Sequence, residues 1–255
     1  MIALIQHEGR EFRVDLKQPV DISISMGNGT GPVAWYLDPA TIEPVVNEHF
    51  TGSVKLGGSV NFRNIRFNPH GHITHTECVG HISREDYSVN QEVKEYFHMC
   101  TLVTVTPEIW SGTDEISQPG DKLITRSGLE SLGAIRWNPA VVIRTSPNDR
   151  SKLSRNYSDS NPVYLHHDAV QWLSDAGVDH LLLDVPSVDR ESDKGKLKGH
   201  HIFWNYPQSP ILKRSITELV YVPDHVPDGE YLLNLQFAPI ENDASPSRPL
   251  LFKLI

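Results

Sequence analysis

Apolar and polar residues alternate along residues 11–26 (EFRVDLKQPVDISISM), the two-residue period of half-buried strands. Gly27, Gly29, Gly31 and Pro32 then break the pattern into a loop that ends at Trp35 and Tyr36. Residues 53–62 (SVKLGGSVNF) predict two short strands around Gly57-Gly58. Residues 101–106 (TLVTVT) and 140–145 (AVVIRT) have the β-branched density of buried strands. After Pro162, apolar positions at Leu165, Ala169, Trp172, Leu173 and Ala176 follow a helical period, and Gly177 stands where a C-terminal cap belongs. HLLLDVPSVD reads as a buried strand turning at Pro186, and further strands are expected at 215–222, 230–238 and 249–254. Strands outnumber helices, yet a helix joins two of them, so the pattern predicts an α/β or α+β domain rather than an all-β one.

Composition leaves this picture intact and removes several functions from it. The chain has 255 residues, enough for one large core, with 38% hydrophobic and 22% charged residues, as in ordinary globular proteins. Its formal charge of −9 provides no basic excess to displace phosphate counterions, which argues against nucleic acid as a partner. The five apolar residues that open the chain are too few for a signal peptide, and no stretch is long enough to cross a membrane. Two cysteines, Cys78 and Cys100, are too few for a disulfide framework and fit a reducing compartment, so a cytoplasmic protein is expected.

The chemistry is concentrated between residues 70 and 81, where His70, His72, His75 and His81 accompany Glu77. Imidazole and carboxylate are the ligands a Zn²⁺- or Mn²⁺-type ion needs to activate water near neutral pH. In an extended segment His75, Glu77 and His81 share a parity, while Thr76 and Cys78 point the opposite way. One segment rarely completes a site. Gly199-His200-His201 offers distant imidazoles, and Glu218 stands between Ile216 and Val220 on one face of the ITELVYV strand. Glutamate is seldom buried unless it is paired or holds a metal, so Glu218 is a second carboxylate candidate.

Together these residues resemble the cyclase family of metal-dependent hydrolases (kynurenine formamidase and isatin hydrolase-like). That family carries His-x-x-x-His-x-Asp-x-Pro-x-His, then a remote histidine, then a glutamate in an apolar strand. His75, Glu77 and His81 fall on three of the motif's positions, His200 on the remote histidine and Glu218 on the glutamate. DISISM, LLLDVPSVD and NDASPSRPLLF agree in kind and in order. Gly71 occupies the place of the first histidine, Glu77 that of the aspartate and Val79 that of the proline, marking a divergent branch. A one-residue insertion after Pro69 would hand the first role to His70, with His72 less favoured; His201 remains an alternative to His200.

The resemblance implies a single domain over 1–255 with the swivelling β/β/α fold, a β-rich core with flanking helices, assembled as a homodimer. It implies an amide hydrolase, arylformamidase-like, whose nucleophile is metal-activated water. His70, His75, Glu77, His200 and Glu218 would hold one or two divalent ions, zinc first and manganese second. His81 would be the general acid/base, and Trp35 would wall an aryl pocket. Two alternatives stand beside this. One is a metal-binding protein of the same fold without hydrolase activity. The other is a cupin, since His70-x-His72 with Glu77 and His201 with Asn205 echo cupin motifs, although Asn64 and Arg84 replace the expected glycines.

Overall fold

The computed structural model describes residues 1–133 and 136–255. Its centre is a nine-stranded sheet built from β1 (Val20–Asp21), β2 (His75–Glu77), β3 (Phe97–Val105), β4 (Ala140–Thr145), β5 (His180–Leu183), β6 (Ser215–Glu218), β7 (Gly229–Asn234), β8 (Ala244–Pro246) and β9 (Leu250–Lys253). The spatial order is β8-β2-β6-β5-β4-β3-β7-β9-β1. The four central strands β3, β4, β5 and β6 run parallel, and the flanks pair antiparallel. Parallel strands need crossovers and both faces covered, which is why 140–143 and 181–183 are apolar without interruption.

Alternation sorts the two faces. Val103, Val141, Ile143, Leu181, Leu183 and Ile216 face helices α1 (His167–Asp175) and α2 (Lys198–Trp204), meeting Val170, Leu173, Phe203 and Trp204. Cys100, Leu102, Ala140, Val142 and Leu182 face the other way, onto Ile22, Val220 and Leu233. Cys78 and Cys100 are buried free thiols. The parallel centre with its helical crossover excludes the jelly roll, and with it the cupin alternative.

Several expected boundaries move. The helix after Pro162 starts at His167, because Tyr164–Leu165 forms a short strand and His166 is the N-cap; Gly177, at φ +84°, ends the helix as expected. Residues 53–62 form no strand pair: Val54–Leu56 is a 3₁₀ turn, and the strand lies at Arg63–Arg66, paired with Thr41–Pro44. The opening apolar residues form a strand, Ile2–His7, paired in a hairpin with Arg10–Asp15. The 215–222 run stops at Glu218, since Leu219 takes φ +56°. That left-handed residue resets the alternation, so Ile216 and Val220 lie in opposite cores.

Candidate metal centre

β2 lies between β6 and β8, with Glu218 opposite His75 and Ile216 opposite Glu77. On one face Thr76 and Thr217 join hydroxyls at 2.8 Å. On the other, His75, Glu77 and Glu218 are brought together, all buried. His75 Nε2 lies 3.5 Å from Glu218 Oε2, while Glu218 Oε1 accepts the Val188 N–H at 3.0 Å. His75 Nδ1–H donates to the Ile73 carbonyl at 3.1 Å, leaving Nε2 with its lone pair aimed at the carboxylates.

Asn68-Pro69 starts a single helical turn, Pro69–His72, with the Asn68 side chain accepting the His70 N–H. The turn sends its two histidines to different places. His70 Nδ1 sits 3.1 Å from Glu77 Oε2 and its Nε2 2.9 Å from Asp243 Oδ2. His72 turns away: its Nδ1 accepts the Asn68 N–H and its Nε2–H donates to the Asp38 carbonyl, each at 2.9 Å. Trp35 donates its indole N–H to the His70 carbonyl at 3.1 Å and so braces that turn.

His81 does not arrive on an extended strand. β2 ends at Glu77, and a 3₁₀ turn, Val79–His81, swings the ring back until Nδ1 is 3.8 Å from Glu77 Oε2 and 3.2 Å from Asp243 Oδ2. The turn needs Gly80, where a Cβ would lie 2.1 Å from the Tyr87 carbonyl oxygen. From α2, His200 Nε2 reaches Glu77 Oε1 at 3.1 Å, and its Nδ1 is held by Asp189 at 2.6 Å. Asp189 also accepts the Gly199 and His200 N–H groups, fixing both helix and ring. His201 instead donates to the Tyr206 carbonyl, outside the cluster.

The structure therefore gathers His70, His75, Glu77, His81, His200 and Glu218 and leaves out His72 and His201. It adds Asp189 and Asp243, neither of which was singled out as a ligand or partner from sequence. Both lie in blocks, LLLDVPSVD and NDASPSRPLLF, whose agreement carried no assigned role.

The charges are strongly coupled. Burial alone would raise the Glu77 carboxyl, yet His81, His200 and His70 hold it well below the usual carboxylate range. Burial works against a charged His70, but its bonds to Asp243 and Glu77 push it up to about 10. His200 is raised by Asp189 and Glu77 against its own burial. Two buried atoms at the centre still have no aligned hydrogen bond among the described residues: His75 Nε2, and Glu77 Oε2 despite the nearby imidazoles. Such orphaned buried acceptors are costly unless a ligand fills the gap.

Two triads, His75/Glu77/Glu218 and His70/Glu77/His81, each present ligand atoms within 4.8 Å of one another and share Glu77. Nitrogen and carboxylate donors in this number suit a Zn²⁺- or Mn²⁺-type ion. The residues fit the group, and Glu77 is placed to serve either triad.

Comparison with known proteins agrees. A family model described as Putative cyclase matches residues 20–190. A kynurenine formamidase of Bacillus cereus is 26% identical over 241 residues, 93% of this chain and 96% of its own. Isatin hydrolase A from Ralstonia solanacearum superposes with a TM-score of 0.63 at 16% identity, covering 92% of this chain and 91% of its own. A predicted metal-dependent hydrolase from Bacillus stearothermophilus gives 0.59 at 17% identity, with 92% and 98% covered. The superpositions show the fold that the sequence resemblance implied.

Proposed function

Because the chain belongs to the cyclase family, we propose that it is a metal-dependent amide hydrolase acting on an aryl formamide or a related cyclic amide. The observation that carries this reading is the buried Glu77 shared by two ligand triads, with His75 Nε2 and Glu77 Oε2 both without an aligned hydrogen bond among the described residues. His75, Glu77 and Glu218 would hold one divalent ion, and His70, with His200 on the opposite Glu77 oxygen, would complete that site or a second one. A bound divalent ion would polarise the amide carbonyl and lower the pKa of water toward ~7.

The chain's own residues supply the rest. Asp243 takes up the Nδ1 side of His81, leaving the imidazole's other nitrogen to carry a proton from attacking water to the departing amine. His81, at 29% side-chain exposure, is the most open of the clustered imidazoles, as a group that must meet substrate should be. Asp189 locks His200 against Glu77 and keeps that carboxylate from turning. Trp35, tied to the His70 carbonyl, would wall one side of the approach. The names of the relatives, kynurenine formamidase and isatin hydrolase, support both substrate types.

The test is a panel of N-formyl aryl amides and cyclic aryl amides, assayed with the purified protein before and after chelation and on return of Zn²⁺ or Mn²⁺. Metal-restored turnover on one group is expected. Metal uptake without turnover on any member would favour a binding protein of the same fold.

A further inference from the structure

A second constellation of metal-type side chains lies outside the centre around Glu77 and shares no residue with it: Asp114, His166 and His167. Asp114 sits in the loop between Trp110 and Asp121, and the two histidines are the N-cap and first residue of the nine-residue helix α1.

Asp114 and His166 are each held so that one atom points into the cluster. Asp114 Oδ1 is committed to the Ile116 and Ser117 N–H groups at 2.7 and 2.6 Å, which leaves Oδ2 facing the histidines. His166 is fixed through Nδ1, 2.6 Å from Asp168 Oδ1, and stacks on Trp110 with ring centroids 4.8 Å apart. Its Nε2 then lies 2.8 Å from Asp114 Oδ2, and His167 Nδ1 lies 4.0 Å from that same oxygen. A carboxylate behind a histidine, orienting the nitrogen that it does not touch, is the usual support of a metal ligand.

His166 thus has a carboxylate oxygen beside each ring nitrogen, Asp168 Oδ1 at Nδ1 and Asp114 Oδ2 at Nε2, and His167 turns a nitrogen toward that same Asp114 oxygen. The side chains of Asp114 and His167 are 23% and 28% exposed, so an ion could enter from solvent and keep water on its open positions.

We infer that Asp114, His166 and His167 form a second metal site, selective for a borderline divalent transition ion such as Zn²⁺, Co²⁺ or Ni²⁺. Two imidazoles and one carboxylate suit those ions, whereas Ca²⁺ and Mg²⁺ prefer all-oxygen sets. Bound there, the ion clamps the 110–121 loop to the start of α1.

The experiment uses the full-length protein with Glu77→Gln and Glu218→Gln, which disarms the main centre, and titrates it with Co²⁺ after chelation and dialysis. Visible Co²⁺ bands saturating at about one equivalent are expected, with no loss in millimolar Ca²⁺. Adding His167→Ala should abolish them while the circular dichroism stays unchanged. If the doubly substituted protein fails to fold, equilibrium dialysis of Zn²⁺ against the native chain and its His167→Ala variant decides instead, with one equivalent fewer expected in the variant. Metal content indifferent to His167, or displacement of Co²⁺ by Ca²⁺, would overturn the inference.

Discussion

At the residue scale, the centre assigns distinct work to histidines that are near neighbours in sequence. His70 faces Glu77 and Asp243, whereas both ring nitrogens of His72 are spent on Asn68 and Asp38. His70→Ala should therefore release metal, and His72→Ala should leave metal content near native while costing stability, both read by elemental analysis beside a thermal melt. The opposite metal pattern would make His72 the ligand. His81 separates chemistry from binding. If it moves protons, His81→Ala should keep its metal and lose roughly 10²- to 10⁴-fold in turnover, while Glu218→Gln should lose both. A His81→Ala protein that loses metal as fully as Glu218→Gln would make His81 a ligand of the second triad instead.

At the element scale, much of this arrangement could be read in advance where periodicity governs. The short β2 follows strand parity, so His75 and Glu77 were legible as a pair, and Glu218 was legible as a carboxylate misplaced in an apolar strand. Parity failed at His81 and Val220, because a 3₁₀ turn and a left-handed Leu219 reset the direction of side chains. Asp189 and Asp243 lie in irregular segments where no period marks a face, and only the folded chain brings them to His200, His70 and His81. The same limit hid the 2–7 strand, whose pairing depends on a turn with Glu8 and Gly9 both at positive φ.

One interstrand contact makes a prediction of its own. His180 at the start of β5 is bonded to Ser215 at the start of β6 at 2.8 Å, with His98 stacked 4.0 Å away. Burial, helped by the charge of His98, pulls His180 down to about 3. The unfolded chain takes up this proton near the ordinary histidine value, whereas the folded chain resists it. The contribution of His180 is thus complete above about pH 6.5 and is lost as pH falls toward 3, by at most about 1.4 kcal/mol per unit. Urea denaturation at pH 7 and pH 4.5 should show a smaller acid loss for His180→Gln than for the native chain. Equal losses would mean that His180 does not titrate in this way.

At the scale of the whole molecule, the segment from 41 to 66 forms two small antiparallel pairs that do not join the nine-stranded sheet. It leaves Leu56 65%, Phe62 59% and Ile65 56% exposed. Exposed large apolar side chains within one short segment suit an interface, and the segment leads directly into the turn that carries His70. A second copy of the chain is the partner we propose, in keeping with the homodimer implied by the family. Light scattering should give twice the chain mass, and Phe62→Asp with Ile65→Asp should halve it. A native chain that runs as a monomer at all concentrations would remove the proposal. Among the described residues no helix is long and apolar enough to cross a membrane.

The pairing of β2 with β8 has a consequence for the making of the protein. His70 meets Asp243 across 173 positions, and β2 gains its outer neighbour only from residues 244–246. At ~5–20 residues per second, the ribosome delivers that partner roughly 10–35 s after His70. Throughout that interval the nascent chain carries its histidine-rich segment without Asp243, the carboxylate on both His70 and His81. Secure metal capture at the proposed centre would therefore wait for the last stage of synthesis, and a chain truncated before β8 would present the same histidines without Asp243 to hold them.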